Sequence, residues 1–191
     1  MEPDLSPDVT QRAQRIRLLL MDVDGVLTNG QLFNVPGPDG QMHETKGFQA
    51  QDGIALQWLT WHGIRTGVIS GRVSPATQER AAQVGMTYVY QGHIEKLPIL
   101  TEIMRRSGLT LPEIAFAGDD LTDVPLMRRA GLAFAPENAR PEVKSVAHYV
   151  TAAAGGAGAV REMIEILLKA QGTWAALLEK YEVLKLRDEV K

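Results

Sequence analysis

Two aspartates, two residues apart, close an apolar run near the start of the chain: Leu18-Leu19-Leu20-Met21 leads into Asp22-Val23-Asp24-Gly25. Strand side chains alternate with period two, so a strand ending here sends both carboxylates to one face. Leaving carboxylates unpaired at a buried strand end is expensive, and a divalent cation is the simplest offset. Such a pair could do nucleophilic attack with one carboxylate and proton transfer with the other. The same residues also suit a strand running into an Asx or Asp-Gly turn. This segment alone leaves both readings open.

Three further apolar runs end in polar residues. Val68-Ile69 is followed by Ser70-Gly71-Arg72. The Ser70 hydroxyl can donate to a phosphoryl oxygen, and Gly71 lets backbone N–H groups approach it, although Ser-Gly after a strand is also an ordinary turn. Gln91–Lys96 places Lys96 at a predicted helix start. A lysine there opposes the helix dipole, which fits either an anionic partner or a solvated surface. Ala117-Gly118 is followed by Asp119-Asp120-Leu121-Thr122-Asp123. A helix N-cap accounts for one aspartate but not for three in five positions.

Short strand patterns alternate with helical ones and must position these groups. Strands are predicted at Ile16–Val23, Arg65–Ile69, Thr87–Tyr90, Ile114–Ala117, Leu132–Phe134 and Tyr149–Val150. Helices are predicted at Gly53–Trp61, Pro75–Val84, Lys96–Ser107, Leu121–Arg129, Pro141–Val146 and Gly158–Ala170. The alternation and the near-continuous apolar strands predict an α/β fold, a doubly wound parallel sheet covered on both faces. Ligands bind such sheets outside the carboxyl ends of the strands, which is where the polar residues fall. Gly30–Phe48, with its Pro36-Gly37-Pro38-Asp39-Gly40 turn, reads as a β-hairpin insertion. Residues 1–172 are expected to form the core. Residues 173–191 form a tail in which Trp174, Leu177, Leu178, Tyr181 and Leu184 keep helical spacing. Two readings stand for that stripe: an interface helix, or a helix folded back on its own core.

The 191 residues are 45% hydrophobic and 23% charged, with a net charge of -3. That length supports one buried core, and that charge gives no bulk reason to bind nucleic acid or anionic membrane. Any site for an anion must therefore be locally basic. No cysteine is present, which excludes disulfides, thiolate nucleophiles and Cys-ligated zinc and suits a reducing, cytoplasmic compartment. Met1–Gln14 is polar, unlike a secretory signal, and no apolar run approaches membrane-spanning length.

In the order Asp-x-Asp, Ser, Lys, Gly-Asp-Asp-x-x-Asp, these motifs resemble those of the haloacid dehalogenase superfamily of phosphotransferases, over roughly residues 16–170. The resemblance implies a Rossmann-like core and an Mg²⁺-dependent phosphatase mechanism. Asp22 would form an aspartyl-phosphate, and Asp24 would protonate the leaving alkoxide and later deprotonate water. Mg²⁺ would be held by Asp22, the backbone carbonyl of Asp24 and Asp119, with Asp120 and Asp123 behind them. Ser70 and Lys96 would balance phosphoryl charge. Aspartate two places after the nucleophile is the pattern of phosphatases and mutases, whereas transport ATPases carry threonine there. The short spacings from Asp24 to Ser70 and from Ser70 to Lys96 leave no room for a cap domain.

Further segments resemble the 3-deoxy-D-manno-octulosonate 8-phosphate phosphatases, tetrameric enzymes of lipopolysaccharide sugar synthesis. They are Lys46–Gly53, Ser70–Arg72, Tyr90–Gly92, Gly118–Asp123 and Ala154–Glu162. Phosphatases of nine-carbon keto sugar acid 9-phosphates resemble it nearly as well, but tend to carry glutamate where this chain has Arg72. Arg72, and Arg80 in the next helix, are candidates to hold the substrate carboxylate or phosphate through bidentate contacts; both also suit a solvated helix surface. Gln51 departs from the arginine usual in the octulosonate enzymes. The resemblance implies a homotetramer in which the hairpin packs between subunits and a neighbour covers the active-site mouth. Receiver domains, with their lysine last in order, and catalytically silent scaffolds are the rival classes.

Overall fold

The computed structural model describes residues 5–183. Its centre is a sheet of six parallel strands in the order β5-β4-β1-β6-β7-β8. These are β1 Leu18–Met21, β4 Arg65–Ser70, β5 Tyr88–Gln91, β6 Ile114–Ala117, β7 Leu132–Ala135 and β8 Tyr149–Val150. A separate antiparallel hairpin pairs β2, Phe33–Pro36, with β3, Met42–Thr45. The doubly wound expectation holds, and every predicted strand forms.

The first strand shows why the sheet is covered on both sides. Leu18–Met21 are all fully buried, and their period-two alternation splits them between two cores. Leu19 and Met21 join the helices α1 Pro7–Ala13, α2 Ala50–Trp61 and α7 Ala159–Ala170. Leu18 and Leu20 pack on the opposite side with α4 Leu97–Ser107 and α5 Val124–Met127. The helices α3 Pro75–Gln83, α6 Pro141–Lys144 and α8 Trp174–Lys180 complete the set. After β1 the chain builds leftward through β4 and β5, then returns to place β6 on the other flank of β1. The reversal lies between β1 and β6, the crevice where open α/β sheets take ligands.

Two helices differ from the sequence expectation. The polar segment Pro7–Ala13 is a helix: Ser6 caps it by accepting from the Val9 N–H at 3.3 Å, with Pro7 at its first position. The helix predicted at Leu121–Arg129 is a 3₁₀ turn, Leu121–Asp123, followed by a four-residue helix. Pro125 lacks the N–H needed to continue one regular ladder.

The tail folds back on its own core. Leu177 is buried, and the Trp174 ring meets Trp58 edge-on at 6.1 Å. The Trp58 indole N–H donates to the Tyr181 hydroxyl at 3.1 Å, and the Arg161 guanidinium lies 4.0 Å from the Trp58 ring centre. Leu184 lies outside the described residues. Leu177→Ala is expected to lower unfolding free energy by about 2–3 kcal/mol in urea denaturation, with activity per folded molecule unchanged.

Candidate active site

Apart from Arg80, which lies within α3, the candidate residues sit at or beyond the carboxyl ends of strands. Asp22 follows β1, and its N–H donates to the Ala117 carbonyl of β6 at 2.9 Å. Asp119 follows β6, and the turn Leu121–Asp123 then folds Asp123 back beneath it. The Asp123 side chain is completely buried. Its Oδ2 accepts from the backbone N–H of Asp119 at 2.9 Å and of Asp120 at 3.3 Å. Its Oδ1 accepts from Lys96 Nζ at 2.6 Å, and the same ammonium donates to Asp22 Oδ1 at 2.7 Å.

One buried cation thus faces crowded anions. Oxygens of Asp22, Asp119 and Asp123 lie within 4.8 Å of one another. Burial pushes the Asp22 carboxyl up to about 6, against the pull of Lys96. Burial, followed by the charges of Asp22, Asp123 and Asp120, pushes Asp119 up to about 7. Burial alone would lower the Lys96 ammonium; Asp22 and Asp123 reverse that and hold it above its ordinary value. Lys96 is therefore not the solvated surface residue that its helix-start position allowed.

This set fits a divalent cation. Asp119 Oδ1 is buried and has no hydrogen-bond partner among the described residues, while both Asp123 oxygens are already engaged. Hard cations such as Mg²⁺ take oxygen ligands, and Asp22 and Asp119 present carboxylates to one notch. Asp120 is exposed and caps the turn by accepting from Leu121 N–H at 2.7 Å.

The backbone of the Val23–Leu27 turn is shaped by the same crowding. Gly25 has φ +96°, and a Cβ there would overlap the Asp119 carboxylate. Gly155 passes so close that its own Cβ would overlap the Gly25 carbonyl oxygen. Asn138 clamps both: its Nδ2 donates to Gly25 O at 3.1 Å, and its Oδ1 accepts from Gly155 N–H at 2.6 Å. The sequence reading did not single out Asn138.

Ser70 is buried at the end of β4, with its hydroxyl oxygen accepting from the Arg72 N–H at 3.2 Å. Gly71 is exposed beside it. Arg72 Nε lies 3.8 Å from Asp24 Oδ2, and its side chain is half exposed. Arg80 is spent elsewhere, contrary to its candidacy for the substrate. It donates to the Gln49 carbonyl at 3.2 Å, stacks 5.8 Å from the Phe48 ring centre, and fills the space that a Cβ at Gly53 would need.

Two more charged residues join the site. Lys46 contacts Asp24, and Glu44 contacts Lys46 and Arg72. Lys46 lies within the segment Lys46–Gly53 that resembles the octulosonate enzymes, but no spacing rule gives it a role. Asp52, from the same segment, is buried and accepts from the Arg161 N–H at 2.8 Å. It thereby ties α2 to the start of α7.

A family model described as haloacid dehalogenase-like hydrolase matches residues 77–164. The chain belongs to the haloacid dehalogenase-like hydrolases. It is 39% identical to the 3-deoxy-D-manno-octulosonate 8-phosphate phosphatase KdsC of Escherichia coli (strain K12), over 88% of this chain and 87% of that protein. The crystal structure of the Moraxella catarrhalis enzyme of that name is a complex with a magnesium ion, a phosphate ion and a KDO molecule. It is 37% identical, with a TM-score of 0.86 over 91% of this chain and 98% of that one. The enzyme of that name from Yersinia pestis is 38% identical, with a TM-score of 0.83 over 88% and 89% of the two chains.

The raised carboxyls make cation binding pH-dependent. Their folded pKa values lie above the ordinary 3.8, so the metal-free fold binds protons more tightly than the unfolded chain. Their contribution is most favourable below about pH 4 and is lost as pH rises through about 6–7. A cation displaces those protons and removes the loss. At 100 times its Kd, Mg²⁺ should add about 2.7 kcal/mol, or roughly 5–10 °C in Tm for a chain of this size. Scanning calorimetry should show that increment at pH 8 and little of it at pH 5.

Proposed function

We propose that this protein is a Mg²⁺-dependent phosphatase that hydrolyses 3-deoxy-D-manno-octulosonate 8-phosphate to the sugar acid and inorganic phosphate. The observation that carries the reading is the buried Lys96–Asp22–Asp123 triplet beside the unpartnered Asp119 oxygen, at the crevice of a sheet shared with the octulosonate phosphatases.

In the first half-reaction, an Asp22 carboxylate oxygen bonds to phosphorus while the ester P–O bond breaks. Asp24 gives its proton to the departing sugar alkoxide. In the second, water attacks phosphorus, Asp24 takes the water's proton, and the bond to Asp22 breaks to release phosphate. Asp22, the Asp24 carbonyl and Asp119 would hold Mg²⁺, which neutralises phosphoryl charge when bound. Lys96 keeps one Asp22 oxygen fixed, leaving the carboxylate oriented for in-line attack. The Ser70 hydroxyl hydrogen remains to donate to a phosphoryl oxygen, since its oxygen is occupied by the Arg72 N–H. Arg72, half exposed beside Asp24, would take the sugar carboxylate.

Asp22→Asn should abolish phosphate release. Asp24→Asn should slow it by about 10²–10⁴-fold while retaining Mg²⁺ affinity in calorimetric titration. The deciding assay is phosphate release from a panel containing both the eight- and nine-carbon keto sugar acid phosphates. Preference for a nine-carbon ester would move the assignment to the alternative sugar.

The working form is a homotetramer with a shared lid, by likeness to the octulosonate enzymes. The hairpin exposes Leu32, Phe33, Val35 and Met42. Val73, Ile94 and Leu121, which follow the ends of β4, β5 and β6, are 73%, 66% and 58% exposed around the mouth. Apolar rims of this kind mark interaction surfaces. Among the described residues, no helix is long and apolar enough to cross a membrane. Deleting Phe33–Thr45 should break the assembly in sedimentation velocity and raise KM for the sugar phosphate far more than for an aryl phosphate. A fully active wild-type monomer at micromolar concentration would exclude the lid.

A further inference from the structure

Lys46 stands where the hairpin meets the acid pair. It follows β3 by one residue, yet its side chain is only 1% exposed. A lysine at the foot of an exposed hairpin can reach water with its long stem, and burying its ammonium is costly unless the charge is paired. Here the ammonium lies 2.5 Å from Asp24 Oδ1 and 3.1 Å from Glu44 Oε1.

Arg72 closes the other side, with Nε 3.8 Å from Asp24 Oδ2 and Nη1 3.5 Å from Glu44 Oε2. Each oxygen of Asp24 therefore faces one cation, and each oxygen of Glu44 faces one of the same two. The two sides are unequal. The Lys46 contacts are short and buried, whereas the Arg72 contacts are long and half exposed, leaving Arg72 free to turn toward a ligand. Lys46 is the buried side of the ring, hydrogen-bonded to Asp24 and in ion contact with Glu44 of β3.

We propose that Lys46 is the positioning residue for Asp24, fixing its carboxylate by a buried ion pair that Glu44 holds in place. The inference rests on the acid/base reading of Asp24. Hydrolysis of the aspartyl-phosphate needs that carboxylate within hydrogen-bond reach of the attacking water, whose proton it takes as the bond from phosphorus to Asp22 breaks. Without Lys46 the Asp24 side chain samples other rotamers, and that half-reaction slows. The first half-reaction with p-nitrophenyl phosphate needs no acid, because p-nitrophenolate leaves unprotonated.

The test is stopped-flow release of p-nitrophenolate, with Mg²⁺, from the wild type and from Lys46→Met, Lys46→Arg, Glu44→Gln and Asp24→Asn. Lys46→Met should give a burst approaching one equivalent per site, and a kcat about 10–100-fold lower. Its kcat/KM, which reports the first half-reaction, should stay within about threefold of wild type. Lys46→Arg keeps the charge and should shrink the burst; Glu44→Gln should show a smaller burst of its own. If Lys46→Met melts at the assay temperature, the Glu44→Gln burst carries the test. A kcat/KM that falls in step with kcat, without a burst, would overturn the proposal. A burst in Asp24→Asn but not in the Lys46 and Glu44 variants also overturns it. The absence of a burst in Asp24→Asn removes the acid/base reading and the proposal together.

Discussion

Three carboxylates, of which Asp123 is fully buried and Asp22 and Asp119 partly so, share a notch with one buried ammonium, and much of the local backbone is arranged around that crowding. Lys96 is the charge that makes it tolerable. Removing one partner of a buried, hydrogen-bonded ion cluster typically costs ~3–5 kcal/mol, a large part of a domain's stability. The lysine can serve two aspartates because α4 begins immediately after it, with Pro98 in its first turn, which fixes the direction in which the side chain leaves the backbone. The glycines are consequences of the same packing. A Cβ at Gly118 would overlap the Asp123 side chain, just as one at Gly25 would overlap Asp119.

Parts of the chain distant in sequence hold this notch shut from behind. The turn at Gly155 and Gly156 lies against Gly25 and Thr28, with the Gly156 N–H donating to the Val26 carbonyl at 3.1 Å. Asn138 bridges the two segments, and Asp52 meets the first turn of α7 just beyond the glycines. Burial raises the Asp52 carboxyl to about 6, with the Arg161 and Gly158 N–H groups pulling the other way. Asp52 thus contributes its hydrogen bond at the cost of a desolvated charge. The glycine-rich segment belongs to the site because it clamps the backbone that carries Asp22 and Asp24.

What could be read from the sequence follows from how local each cause is. The strands were legible because the central ones are short apolar runs buried on both faces, and the acids because they interrupt those runs. Asp22, Asp24, Ser70, Lys96, Asp119 and Asp123 stood out as polar residues ending apolar runs, and the order of their motifs, by its resemblance to a family, made them candidates. Their mutual geometry could not be read that way, since Lys96 reaches Asp22 across 74 residues and Asp123 across 27. Asn138 and Lys46 carried no local signal: an asparagine in a loop and a lysine after a hairpin look the same whether they clamp a backbone or face water. Arg80 erred the other way. Its position in the helix after β4 suggested substrate, but its guanidinium turns inward, into the space left by Gly53 and onto the Gln49 carbonyl, which also accepts from the Gly53 N–H. The alternatives for the tail were separated only by Trp58, which offers Trp174 and Tyr181 a surface that no reading of residues 173–191 contains.

The two aspartates therefore depend on structures of different kinds. Asp22 is bound into the parallel sheet, through its N–H to β6 and its carboxylate to a buried lysine, and cannot move without disturbing the core. Asp24, two residues later, takes its charged partners from Lys46, the residue after β3, and Arg72, in the exposed turn after β4. The hairpin is two short strands with exposed apolar faces, and an isolated pair of that size is marginal in water. Local opening therefore costs least there. On the roles proposed above, a nucleophile held by the core and a proton carrier paired beside the hairpin would respond separately to whatever covers those faces. Seating the hairpin would leave the nucleophile where it is and complete the surroundings of Asp24 alone, which ties proton transfer to the packing of an element outside the sheet.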